Sequence, residues 1–420
     1  MEPSSLKNTD RIQVIDALRG FALIGIIVAH SSGQFLAGPS PATYNILFSP
    51  LDKWVNDLGT YLTFGKFFTI FSFLFGLSFA IQMDNAAKAG RSFAGRTRWR
   101  LVILFAIGFI HSLFYSGDIL RIYAVLGLLL IVVRRLPNWA ILMLGTLLVL
   151  NAPLLVGRLT SVNAPPPTAA QVEASQKEGA AFARMAEEGY RIKSSGTLAD
   201  VITMNAREGL ISTLFFQLFT GRLFITFGLF LLGLYVGRKR YFTDSPAHRQ
   251  FFRRLFISSG LMAVVSTTVA ILTGGVTLGP PTPGWQGVIN LTAFDLHQAS
   301  LSAFYVAAVT LLFWQTKAQF LRSLVAVGRM GLTTYLCGTA FGVLVFLGYG
   351  LGQIGKLGMT TSVGLGLAFF ALQIPFSNWW LSRYQFGPVE WLWRSLTYGK
   401  AQPWRKKARL NQSSELLTAE

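Results

Sequence analysis

His111, Asp118 and Arg121 are the residues whose types and spacing best suit proton chemistry. Two apolar runs, 101–115 and 119–133, are separated only by Ser116-Gly117-Asp118. Such a connection reads as a tight turn, so the segment is expected to form an antiparallel hairpin across which His111 and Asp118 approach one another. Arg121 lies one turn beyond Asp118 on the same helix. A histidine oriented by a carboxylate, with an arginine nearby, can remove a proton from a hydroxyl or amine and stabilise an oxyanion, as acyl transfer requires. The same residues also have a structural reading. Asp118 follows Gly117 at a helix start and suits an N-cap, Arg121 then simply pairs with it, and His111 is an interfacial side chain.

A second constellation opens the chain. The stretch RIQVIDALRGFALIGIIVAH, residues 11–30, is an apolar span that begins with an acid and a base and ends on an imidazole. Asp16 and Arg19 are three apart and share a helix face. Ionisable groups inside hydrocarbon are costly and tend to face a protein interior or a wet cavity. Either the pair is functional, or Arg19 holds the N-terminus in the cytoplasm while Asp16 neutralises it. His30 closes this span. Asp295-Leu296-His297 stands at the expected mouth of a later span, as a second imidazole or a capped helix start. Lys66 is expected to snorkel to the outer surface, whereas Arg222 lies deeper, where a paired partner is expected. Two histidines and a carboxylate could ligate a metal, but the spacing is not ligand-like and no metal is expected.

These groups sit in a chain of 420 residues of which 52% are hydrophobic and 13% charged. A soluble surface cannot be made from so few charges, so the expected fold is an all-α polytopic membrane bundle. About ten spans are readable, at 15–32, 61–83, 101–115, 119–133, 139–156, 214–236, 255–273, 296–314, 324–347 and 360–381. No cleavable signal is expected, because the first apolar run is long and holds Asp16. The net charge of +19 does not imply nucleic acid, since 26 of the 37 Lys and Arg fall in short connections on one side and 8 on the other. That excess places both termini in the cytoplasm. Cys337 is the only cysteine, which excludes an intramolecular disulfide and a cysteine metal cluster.

Four regions follow: a membrane half at 1–157, an outer loop at 158–209, a second membrane half at 210–399 and a basic tail at 400–420. The outer loop begins at Pro165-Pro166-Pro167 and carries i,i+4 charge pairs such as Glu173–Lys177, so it predicts a solvated helix, as a lid or a spacer. A second outer segment contains Gly279-Pro280-Pro281 and Pro283-Gly284 and reads as an irregular loop. Arg405-Lys406-Lys407 suits the anionic inner leaflet, with Trp391 and Trp393 as interfacial anchors.

Five motifs occur in order: IDALRGFALIGI at 15–26, Lys66-Phe67 followed by FSFLFG at 71–76, GFIHSLFYSGDILRIYA at 108–124, GRMGLTTYL at 328–336 and FGPVEWLWRSLTYG at 386–399. With them the chain resembles the YeiB-like bacterial membrane proteins, whose C-terminal half is catalogued as the DUF-418 domain of unknown function. The opening is also similar to transmembrane acyltransferases of the heparan-glucosaminide acetyltransferase type, which carry an acyl group from a cytoplasmic thioester across a helix bundle. The resemblance departs in three places. His30 stands where such openings usually carry Asn, Thr334 where the ninth-span motif more often has Asn, and residues 31–65 contain no histidine to match that of the acetyltransferases.

The expectation is a bacterial inner-membrane acyltransferase acting on an envelope or exported small-molecule or glycan acceptor. Arg19 and Arg329 would attract an anionic donor such as acyl-CoA, with Asp16, His30, Lys66 and His297 as further binding residues. His111, assisted by Asp118 and Arg121, would deprotonate the acceptor. The alternatives are a small-solute transporter, which inverted repeats would favour, and a non-catalytic membrane scaffold. The sequence offers only a same-orientation echo: an apolar span, a basic loop and an arginine-led span at 70–108 and again at 225–260.

Overall fold

The computed structural model describes residues 12–163, 165, 168–275, 284–315 and 318–406. The predicted Gly279–Pro283 loop and Lys407 of the basic tail lie outside the described residues. Sixteen helices make up the described fold, α1 Gln13–Ser32 to α16 Pro388–Tyr398, with no strand among the described residues. Side chains such as Leu261, Val264, Val265 and Leu272 of α11 (Pro246–Leu272) are exposed and apolar, a surface suited to lipid rather than water.

Six helical segments are long and apolar enough to cross a bilayer, and three further crossings are helix pairs bent at a short break. With the shorter apolar helix α5 (Leu120–Val133, 14 residues) the crossings number about ten. The bends correct three spans that hydropathy reads as continuous. The fifth breaks at Asn151, in the left-handed region, between α6 (Asn138–Val149) and α7 (Ala152–Ser161), with a bend of 47°. The sixth breaks at Thr220-Gly221 by 75°, ending α9 (Leu198–Phe219) and starting α10 (Arg222–Arg238). The ninth turns by 85° at Met330, between α13 (Gln319–Arg329) and α14 (Gly331–Phe346).

That last elbow has a visible cause. Glu390 of α16 accepts hydrogen bonds from the backbone N–H groups of Leu332 (2.7 Å) and Thr333 (3.0 Å) and from the Thr333 hydroxyl (2.6 Å). A carboxylate thus caps the first turn of α14, where orphan N–H groups and the helix dipole favour a negative charge. The GRMGLTTYL and FGPVEW motifs are two sides of this one joint. The tail from Lys400 folds back, with Arg405 paired antiparallel to Tyr384.

The bundle is drawn together where backbones touch. Gly328 lies so close to α1 that a Cβ there would overlap the Asp16 carbonyl. Helix α3 (Phe67–Lys88) packs beside α10 in parallel: a Cβ at Gly76 would overlap the Phe230 carbonyl, and one at Gly233 the Phe73 carbonyl. That reciprocal contact relates the two helices by an approximate two-fold. The outer-loop expectation of a charged helix is met by α8 (Ala169–Ser195), capped by Thr168 and Gln171. Its Lys193 is buried, and its ammonium donates to the Leu36 and Ala37 carbonyls of the turn after α1.

Candidate active site

Helix α4 (Phe93–Phe114) and α5 form the hairpin expected around residues 116–118, with α4 running a further two turns below the predicted start of its span. Gly108 lets the two helices close, because its missing Cβ leaves room for Leu120 Cβ, Arg121 N and the Asp118 carboxylate. Asp118 is buried, and its Oδ1 lies 2.8 Å from His111 Nδ1. Its Oδ2 accepts the Arg121 N–H at 3.1 Å and lies 3.6 Å from Arg121 Nε. Asp118 therefore caps the helix start and orients the imidazole at once.

The tautomer follows from this network. An ionised Asp118 accepts a hydrogen bond from Nδ1–H, which leaves Nε2 as the lone-pair nitrogen. His111 Nε2 is buried and has no hydrogen-bond partner among the described residues, and the same holds for Arg121 Nη2. A positioned base nitrogen and a guanidinium N–H are thus both uncommitted beside one carboxylate.

Aromatic rings surround the imidazole. Tyr335 of α14 lies 5.2 Å from His111 between ring centroids, and Tyr115 6.0 Å. His30, at the end of α1, lies 5.2 Å from Tyr115 and 6.3 Å from Tyr335, so both imidazoles meet the same two tyrosine rings. Tyr335 and Tyr115 were not readable as site residues from spacing, although Tyr335 stands inside the GRMGLTTYL motif. A gap of about 10 Å³, roughly one water, runs between α1, α14 and α15 (Met359–Arg383), lined by Leu23, Ile27, His30, Tyr335, Gly338 and Gln373.

At the opposite end of α1, Asp16 pairs with Arg19 at 2.5 Å, and Arg19 also donates to Ser78 Oγ of α3 at 2.5 Å. Asp16 is buried and Arg19 partly so, which places the pair inside the bundle rather than on its rim. The contact of Gly328 with Asp16 brings Arg329 to the same mouth. Arg19 and His30 are eleven residues apart on α1, roughly 16 Å along the axis. The gap beside α1 begins at Leu23, so it spans part of that distance without reaching Arg19.

Other expectations are corrected. Helix α12 (Gly284–Phe313) begins well before residue 296, so Asp295 and His297 lie within it and cap nothing. Asp295 accepts from Arg158 (2.9 Å) and Asn151 (3.2 Å). His297 places Nε2 2.9 Å from the Tyr61 carbonyl and Nδ1 2.8 Å from the Thr267 hydroxyl, which commits both nitrogens, and it makes no contact with the His111 group. Lys66 does not snorkel: it is fully buried, with Nζ donating to the Thr60 carbonyl at 2.9 Å. Arg222 has no carboxylate partner among the described residues; its guanidinium stands over the rings of Phe64, Phe68 and Phe216 at 5.0, 5.0 and 4.9 Å. A wider cleft of about 600 Å³ opens between α8 and α9 beside Arg184, Arg191 and Arg207, and contains none of the predicted site residues.

The fold and the buried polar groups define a polytopic α-helical membrane protein. Within that class, residues 236–400 match the family described as "Protein of unknown function (DUF418)". The chain is 30% identical to the uncharacterised protein YxaH of Bacillus subtilis (strain 168), over 97% of this chain and all of that one. It is 27% identical to the uncharacterised protein YeiB of Escherichia coli (strain K12), over 94% of this chain and 98% of that one. An uncharacterised 39.9 kDa protein from the amylase 3′ region of Bacillus acidopullulyticus is 28% identical over 96% and 98%. The chain belongs to the YeiB-like DUF418 family.

Proposed function

We propose that this protein is a membrane acyltransferase that moves an acyl group from a cytoplasmic thioester, acyl-CoA, to an acceptor at the outer face of the bacterial inner membrane. The observation that carries the reading is His111, held by Asp118 through Nδ1 with Nε2 uncommitted. In this reading Nε2 takes the proton of an acceptor hydroxyl or amine as it attacks the acyl carbonyl, and Arg121 steadies the oxyanion. The thiolate of the donor leaves with a proton returned by the imidazole. Both termini lie in the cytoplasm on the charge asymmetry, so Asp16, Arg19 and Arg329 form the mouth that meets the anionic donor.

The test is turnover of acyl-CoA by purified protein, by transfer or by slow hydrolysis. His111→Ala is expected to lower the rate by about a hundred- to ten-thousand-fold while the protein stays folded and monodisperse. His297→Ala is expected to leave the rate within a few-fold of wild type, because its nitrogens are committed elsewhere. Full activity in His111→Ala would remove the proposed base. A second reading, a solute transporter, draws on the parallel packing of α3 and α10, since related repeats commonly flank a transport path. Solute movement in vesicles, with neither binding nor turnover of acyl-CoA, would establish it instead.

A further inference from the structure

Lys66 and Arg222 occupy corresponding places on two related helices. Gly65-Lys66-Phe67-Phe68 leads into α3 and Gly221-Arg222-Leu223-Phe224 into α10, and both glycines have positive φ, at 81° and 70°. The helices run parallel, so both N-termini face the same way. Each terminus contributes about half a positive charge, and each is led by a full one. The Arg222 guanidinium stands over Phe64 and Phe68, two residues to either side of Lys66, so the two cations lead into the helices at the same level.

Lys66 is fully buried, and its ammonium has three protons but, among the described residues, one hydrogen-bond acceptor, the Thr60 carbonyl, with the Phe294 ring 5.9 Å away. The rings around Arg222 hold the guanidinium without cancelling its charge. Asp295, the carboxylate that Asn151 ties to this part of the bundle, is engaged by Arg158 and Asn151. One turn beyond Arg222, on the same face, the buried Thr226 hydroxyl has no hydrogen-bond partner among the described residues. Lys66 is buried and Arg222 half-buried, and two like charges so placed without a counter-ion among the described residues are costly; a bound anion removes that cost.

We propose that Lys66, Arg222 and the Thr226 hydroxyl form a binding site for a phosphate-type oxyanion between the N-terminal ends of α3 and α10. Two cations, two helix ends and a hydroxyl match a tetrahedral oxyanion, with acceptor oxygens pointing several ways, better than a single planar carboxylate. The phosphate belongs either to a free phosphorylated solute or to a phospholipid headgroup. The site stands apart from His111 and does not depend on the transferase reading.

The experiment uses the full-length protein, purified in an uncharged detergent without phosphate. Inorganic phosphate is titrated against sodium chloride at matched ionic strength, and thermal unfolding is followed. Wild type is expected to show a saturable rise of about 2 °C or more with phosphate and none with chloride. Lys66→Met and Arg222→Gln should weaken the apparent affinity by at least about tenfold, because each removes one charge-assisted partner. Lys66→Met should also unfold no lower than wild type before phosphate is added, since an uncompensated charge is gone. Arg222→Lys, which keeps the charge but not the planar fork, should bind phosphate more weakly than wild type and serves if either neutral variant fails to fold. Bound phospholipid is measured in parallel. A phospholipid retained by wild type and lost in the variants assigns the site to a headgroup, with the phosphate response appearing only after delipidation. A phosphate response without retained lipid assigns it to a free solute. The proposal is overturned if wild type shows neither effect, or if every folded variant responds as wild type does.

Discussion

At the residue scale, the two ends of α1 carry different kinds of polar group. The Asp16–Arg19 pair lies inside the bundle and is tied to Ser78, so it resembles a buried ion pair more than a topogenic charge. Breaking such a pair leaves its surviving member without the other, whereas removing both removes the two charges together. Asp16→Asn combined with Arg19→Gln is therefore expected to give more folded protein than either single change, read as the monodisperse fraction after extraction. Equal, near-wild-type yields from all three would show a surface pair. The His111–Asp118 approach was legible because only three residues separate two apolar runs, and chain connectivity then leaves the side chains few places to go. The engagement of His297 was not legible. Its partners, Tyr61 and Thr267, come from distant segments, and no local pattern reports on them.

At the element scale, the breaks are what sequence reading missed. Hydropathy sums apolar residues and is blind to direction, so a run such as 324–347 reads as one span whether or not it turns by 85° at Met330. The signals that mark the joints are single residues: Asn151, Gly221 and the distant Glu390. Lys193 makes an element-scale prediction. Burial lowers its ammonium from the usual 10.5 to about 8. Below pH 8 the lysine is charged in both the folded and the unfolded chain. Between about pH 8 and 10.5 the unfolded chain holds the proton that the folded one has released, so this residue makes stability rise with pH across that window. Lys193→Met is expected to remove that rise in thermal unfolding measured from pH 7.5 to 10.5. An unchanged profile would mean that α8 is not docked through this side chain.

At the scale of the whole molecule, class and approximate span number were readable from composition, because a bilayer demands long apolar helices with satisfied backbones. Orientation rests on the placement of Lys and Arg and is open to direct test. Single cysteines on a Cys337→Ser background should label from the cytoplasmic side at positions in 84–100 and 237–254, and from outside at position 180. Labelling of position 180 only from the cytoplasm would invert the molecule and place His111 at the wrong face for an outer acceptor.

Helix α5 has 14 residues, which span about 21 Å. A bilayer's hydrocarbon is about 30 Å thick. Val125 and Val132 of this helix are exposed and apolar, a wall suited to lipid. Unless another subunit covers this wall, the bilayer beside α5 would have to thin, with acyl chains compressed or tilted to match it. Such thinning would bring interfacial water down towards the turn at Ser116–Asp118, so a water-soluble acceptor would travel a shorter distance to His111 than the nominal bilayer thickness implies.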